Sequence, residues 1–415
     1  MPVKPGLLHG PEPGFLWTLK LPRRVLILAA MLALSVAADA LPHLPDSDRQ
    51  VLEKLPERAA DPSILAMRRL RQQLSQDPLD LALALRLARR YFEQVASEGD
   101  PRYIGYAQAA LAPWWQQADP PVPVLVLRAV LRQFNHQFDA ARADLQSAVR
   151  QQPDNGEAWS WLAAIAMVQA RYTDAREACA QAAAQASALI AVACGASVDA
   201  ATGHALAAVS ALNAALLRET RAGAAEQLWA LTRLAETEER LGRHDAAEAA
   251  FKRALALGLA DSYLLAAYSD FLLDRQRPAE VLALLKGKER SDLLLLRLAL
   301  AAQASGAPNR ANWEADLVAR FTAASLRGDN LHQKEEARFA LTQRGQALRA
   351  LALARDNFAV QREPADARVL LEAAIAAGQP AAAEPVRLWL AGSGIESQVL
   401  RKLAAQLAAP HKAAR

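Results

Sequence analysis

Apolar positions recur three and four residues apart along most of this chain, and a longer rhythm runs through that helical one. A small residue is followed four positions later by a bulky apolar one, and three after that by a residue that is small in all but the first copy. The triplet reads Ala107-Leu111-Trp114, Ala141-Leu145-Ala148, Ala175-Cys179-Ala182, Ala208-Leu212-Ala215 and Ala247-Phe251-Ala254. Its first members are 34, 34, 33 and 39 residues apart, and a weaker copy at Val281-Leu285 follows after 34 more. Spacings of three and four place the three side chains on one face of a helix. A fixed period of this length predicts a solenoid of stacked helix pairs, each needing its neighbours to bury its apolar face.

Single elements are legible around the triplets. A helix is predicted over about Ile64–Ser75. Asp77-Pro78 and Asp100-Pro101 each open a further helix, because a proline at the first helical position has no backbone bond to lose. The clearest unit runs from Gly156 to about Ser187. Trp159, Leu162 and Ala163 sit on its first helix, Arg171-Tyr172 at the turn, and Ala175, Cys179 and Ala182 on its second. The unit near Leu228 repeats this order, with Gly242-Arg243 at the turn. The extra five residues between Ala208 and Ala247 fall near Thr220–Ala224, which predicts a longer loop around Gly223.

These residues resemble the tetratricopeptide repeat: a large residue, Leu, a small residue, a turn, then Ala, Phe or Leu, Ala, and a late Pro such as Pro153. The resemblance implies an all-α superhelix of antiparallel helix pairs. Residues 77–290 form the array, 291–392 carry degenerate repeats, and 393–415 give a last helix and a disordered tail from Pro410. It also implies a concave groove that binds protein or peptide. Its groove-facing places fall on Gln133, Glu157, Ser160, Met167, Trp229, Thr232, Glu236, Glu239, Tyr263 and Asp270. The Lys/Asn clamp of some family members is missing.

Composition agrees with a helical fold. Hydrophobic residues make up 53% and charged residues 22%, Ala and Leu dominate, and Gly is sparse at 18. Ala and Leu lose little freedom in a helix. The net charge of +4 comes from 48 basic and 44 acidic residues spread along the chain, which is no footprint for nucleic acid. The N-terminus reads as an export signal. Lys20, Arg23 and Arg24 precede the apolar run Val25–Ala38, and Ala38-Asp39-Ala40 fits a cleavage site. Residues 1–40 are therefore expected to be removed, leaving a linker and capping helix over 41–76 and a periplasmic protein. An uncleaved inner-membrane anchor is the other reading. No later run is long enough to span a bilayer.

Candidate chemistry is thin. Cys179 and Cys194 lie 15 apart on helices that should touch, so they form either a disulfide or two small buried thiols. No His pairs with another His or a Cys at metal-ligand spacing, and no phosphate loop or catalytic triad stands out, so no metal or cofactor is expected. Glu396-Ser397 resembles the catalytic pair of lytic transglycosylases, but no Gly-Leu-Met-Gln stretch follows it. A helix-start carboxylate is the simpler role. Trp114-Trp115 and Trp159/Trp161 suggest either a sugar platform or core packing, and helical spacing favours core. The sequence thus reads as a non-enzymatic exported scaffold for protein–protein interaction, or else an accessory to envelope polysaccharide or cell-wall assembly.

Overall fold

The computed structural model describes residues 62–326 and 332–408, all within one compact unit. The expected export signal, most of the expected linker and the tail from Pro410 lie outside the described residues. Those described are helical throughout, without strands. A lone helix α1 (Pro62–Gln76) leads in. Helix α2 (Leu81–Glu98) then packs on α3 (Arg102–Ala110) and the short α4 (Ala112–Trp115). Regular pairs follow: α5 (Val122–Phe134) with α6 (Phe138–Gln151), α7 (Gly156–Val168) with α8 (Tyr172–Ala183), and α9 (Ala188–Ala201) with α10 (Ala205–Arg218). Next come α11 (Ala224–Arg240) with α12 (His244–Leu255), α13 (Ser262–Asp274) with α14 (Pro278–Leu284), and α15 (Asp292–Ser305) with α16 (Arg310–Leu326). The later helices are α17 (Gln333–Thr342), α18 (Ala347–Val360), α19 (Pro364–Ala376), a 3-10 turn at Pro380–Ala383, α20 (Glu384–Ser393) and α21 (Gln398–Ala408).

Local sequence sets the helix ends. Asp80, Asn155, Ser187, Asp261 and Ser291 cap α2, α7, α9, α13 and α15, each side-chain oxygen accepting the N–H three residues on. Between the two helices of a pair the chain reverses through one left-handed residue: His136, Ala170, Gly203, Gly242 or Gln276, with φ of 56–81°. The following N–H donates to the carbonyl five residues back at 2.8–3.0 Å, as Arg171 does to Ala166 and Arg243 to Glu238. This closes the first helix in a Schellman-type turn. Each left-handed residue stands five places before the first residue of a triplet. The reversal therefore delivers Ala141, Ala175, Ala208, Ala247 and Val281 to the same point of each pair, and all five are fully buried.

The triplets are the packing contacts. Phe251 and Leu145 are fully buried beside their small partners, where helix backbones approach too closely for a larger side chain. The five-residue slip is not a longer loop. The linker before α11, residues 219–223, is as short as its counterparts; the extra residues lengthen α11 itself to 17, against 13 in α7 and α13. Four residues are about one helical turn. The stretch Ala224-Ala225-Glu226-Gln227 consists of good helix formers, and Glu226 accepts the N–H of Gly223 to hold its start.

The superhelix closes on itself. Ser262 at the start of α13 donates to the Ala96 carbonyl in α2 at 2.8 Å. The C-terminal segment runs along the row of left-handed turns. Gln361 meets His136 at 3.0 Å, and the Arg362 N–H donates to Val168 beside Ala170 at 2.8 Å. Gly394 lies on Gly203, and Gln398 donates to the Leu241 carbonyl beside Gly242 at 2.8 Å. Trp389 donates to the Tyr172 hydroxyl at 3.0 Å. Glu396 accepts the N–H of Ala205 at 2.6 Å and so caps α10, while Ser397 accepts the N–H of Leu400 at 3.3 Å. The pair that looked like transglycosylase chemistry thus caps two helices, one of them its own neighbour.

Two substitutions test this packing. Ala247→Leu should overfill the α11–α12 contact and cost about 1–3 kcal/mol in urea unfolding. Gly203→Ala should cost about 2 kcal/mol, because it meets both a left-handed backbone and the Gly394 carbonyl oxygen at 3.2 Å. Gly258→Ala, at the same kind of φ but in open space, should cost only about half as much.

Candidate functional site

Closure turns the concave face into a partly open cavity of about 430 Å³. One side is lined by Met167 of α7, Trp229, Glu236, Glu239 and Arg240 of α11, and Tyr263, Asp270 and Asp274 of α13. Facing them are Arg297 of α15, Lys334 and Arg338 of α17, Arg368 of α19, and Val399 and Leu400 of α21. The longer α11 contributes Trp229, Arg233, Glu236 and Arg240, which recur at helical spacing along it.

The structure gathers six of the ten expected groove residues here: Met167, Trp229, Glu236, Glu239, Tyr263 and Asp270. The other four do not line the cavity. Glu157 instead pairs with Arg89 of α2 at 2.8 Å, both half-exposed. Ser160 donates back to the Gly156 carbonyl, and Gln133 sits near the end of α5. Thr232 is buried at 2% exposure, its hydroxyl bonded to the Leu228 carbonyl, so it cannot meet a ligand. Sequence reasoning missed the cationic wall of Arg297, Lys334, Arg338 and Arg368. These residues lie in the stretch where the repeat register fails, and a register was the available guide.

Most of the charges neutralise one another. Asp270 accepts from Arg297 at 2.7 Å and from Arg338 at 2.6 Å. Burial would push its carboxyl up, but these two guanidinia outweigh that and hold it well below the usual range. Arg368 bridges Asp274 at 2.5 Å and Glu372 at 2.7 Å. Glu236 accepts from the Tyr263 hydroxyl at 2.5 Å and pairs with Arg233 at 3.1 Å, and that guanidinium lies 4.9 Å from the Tyr263 ring centre. Glu239 is different. Burial, together with the charges of Asp274, Asp270 and Glu236, pushes its carboxyl up to about 8 against the weaker pull of Arg368.

The sulfurs of Cys179 in α8 and Cys194 in α9 are bonded to each other. Trp114 is buried, Trp161 packs edge-on against Phe92, and Trp159 donates to the Pro153 carbonyl at 2.8 Å. Trp115 lies under Arg132, 5.7 Å from its ring centre. Among the described residues, no group of His, Cys, Asp and Glu is arranged to hold a metal ion, and no helix is long and apolar enough to cross a membrane.

A helix-pair solenoid with this turn and this small-residue contact defines the class of the molecule. Residues 135–191, which hold α6 to the start of α9, match the tetratricopeptide repeat. Among solved structures, a tetratricopeptide repeat protein from Parabacteroides merdae superposes with a TM-score of 0.39 at 14% identity, over 62% of this chain and 92% of that one. Rap protein complexed with competence and sporulation factor gives 0.44 at 14% identity, over 84% and 94%. The hetero-tetramer Cut9–Hcn1 gives 0.40 at 13%, over 75% of this chain and 52% of that one. No curated protein matches the sequence.

The Glu239 carboxyl sets a pH dependence. Its folded value of about 8 lies above an ordinary 4.5, so the fold is favoured while Glu239 is protonated and loses stability as pH rises between those values. Glu239→Gln removes that loss. The variant should gain on the parent by on the order of 2 kcal/mol between pH 5 and pH 8. Urea unfolding of both proteins at the two pH values checks it, and groups common to both cancel.

Proposed function

We propose that this chain is a non-catalytic scaffold of the cell envelope that takes a segment of a partner protein into its closed superhelix. The observation that carries the reading is the cavity. An array of helix pairs leaves its concave face free to specialise. Here that face is walled by charges of both signs together with Trp229, Tyr263 and Met167. Mixed polar and aromatic linings suit peptide better than a uniform surface. Export rests on the sequence over Lys20–Ala40 and is supported by the Cys179–Cys194 bond, since such bonds persist in oxidising compartments.

The polysaccharide reading lacks comparable support, because Trp114, Trp115, Trp159 and Trp161 are engaged in packing, a hydrogen bond or an arginine contact.

A photo-reactive side chain at Trp229, installed in the full chain in living cells, is expected to form one dominant adduct with a second protein. Products confined to this chain would overturn the scaffold reading. Cell fractionation should recover a species beginning at Leu41 in the periplasm, and cytoplasmic recovery of the uncut chain would overturn the envelope assignment.

A further inference from the structure

Glu239 and Arg240 stand side by side on α11, both line the cavity, and neither makes an ion pair among the described residues. Of the charged side chains lining it among the described residues, seven are cationic and seven anionic, so the cavity is balanced as a whole. Ten of these form ion pairs with one another, which leaves Glu239, Arg240, Arg362 and Glu363 outside ion pairs among the described residues, and of these four Glu239 and Arg240 are the two on α11. Among the described residues, Glu239 accepts no hydrogen bond and makes no ion pair; Arg368, the cation that acts on it, is engaged by Asp274 and Glu372. Arg240 makes a single long bond, 3.3 Å to the Thr237 hydroxyl, and its Nε is sealed from solvent without an acceptor. Glu236, the carboxylate nearest in its field, is held by Arg233 and the Tyr263 hydroxyl.

The two cannot neutralise each other. Consecutive side chains on a helix diverge by roughly 100°. Glu239 faces the carboxylates of Asp270 and Asp274, with Glu236 on its own helix, so its surroundings call for a cation. Arg240 faces Tyr172 of α8 and Tyr263 of α13, with Glu236 and Arg233 on its own helix; Glu236 is taken up by Arg233 and the Tyr263 hydroxyl, which leaves Arg240 free to pair with a further anion. Arg240 carries a charge without an ion-pair partner, and Glu239 a carboxyl that burial and its acidic neighbours keep largely protonated, so a ligand that brings an anion to the first and a cation to the second gains at both. A volume of about 430 Å³ admits a stretch of two or three residues and excludes a folded domain.

We propose that the cavity binds a short zwitterionic peptide segment, its basic side chain on the Glu239 carboxyl and its acidic side chain on the Arg240 guanidinium. This rests on the scaffold reading and narrows it to the chemistry of the inserted segment. The cation displaces a proton from Glu239 as it binds, because that carboxyl is largely neutral near pH 7 before the ligand arrives.

The test is calorimetric titration of the full chain with acetyl-Lys-Gly-Asp-amide and with its uncharged counterpart acetyl-Gln-Gly-Asn-amide. The charged peptide is expected to bind about tenfold tighter or better, and Glu239→Gln and Arg240→Gln are each expected to weaken it about tenfold. Binding should release a proton in buffers of different ionisation heat, and Glu239→Gln should abolish that release. Thermal melts of both variants confirm that they fold. Equal binding of the two peptides, or indifference to both substitutions, would overturn the charge assignment and leave the scaffold reading standing. If neither peptide binds while the Trp229 adduct still forms, the zwitterionic segment is wrong and the partner enters by other chemistry. If the adduct is also missing, the two readings fall together.

Discussion

The regular part of this molecule depends on one backbone event, the left-handed residue five places before the first residue of the triplets at Ala141, Ala175, Ala208, Ala247 and Val281. It reverses the chain within a few residues, satisfies the last carbonyls of the first helix, and fixes where the second helix lands. Ala141, Ala175, Ala208 and Ala247 are small because the reversal brings two backbones together at that point. Glycine fills the left-handed place at Gly203 and Gly242, but His136, Ala170 and Gln276 adopt it with a side chain. That costs about 1 kcal/mol each, a strain that persists only because the packing on both sides leaves no alternative.

The same turns have a second role. They form a row along one edge of the solenoid, and the C-terminal segment lies on that row from His136 to Gly242. Glycine at 203 allows the backbone of Gly394 to come within contact distance, and glycine at 242 leaves room for the Gln398 side chain. A feature that begins as a requirement of chain reversal becomes a docking edge, and the docked segment converts an open groove into a cavity.

Enclosure then changes the chemistry of the residues inside. Asp270 and Glu239 are carboxyls lining one cavity, yet burial is answered differently at each. Arg297 and Arg338 overwhelm it at Asp270, and nothing does so at Glu239. One stays charged and the other holds its proton near neutrality. In an open, solvated groove both charges would be screened and the contrast would shrink.

The solenoid was legible because its contacts are local. Each triplet packs against residues one helix or one repeat away, so a period near 34 carries the information, and Phe251 or Leu145 could be placed by counting. Six of the ten groove positions reached the cavity by the same counting. It failed for Gln133, Glu157, Ser160 and Thr232, and at Gly223, where four of the five inserted residues went into an extra helix turn instead of a loop. The closure carries no such period. Glu396 caps a helix 191 residues away, Trp389 reaches Tyr172 across 217, and Arg338 and Arg368 meet acids 68 and 94 residues distant. The sequence alone therefore determined helix pairs, their small-residue contacts and the repeat class. Tertiary structure alone decided that the array closes, which charges meet inside, and that Glu239 and Arg240 are left without ion-pair partners among the described residues, because pairing at that range follows from the path of the chain through space and leaves no local pattern to read.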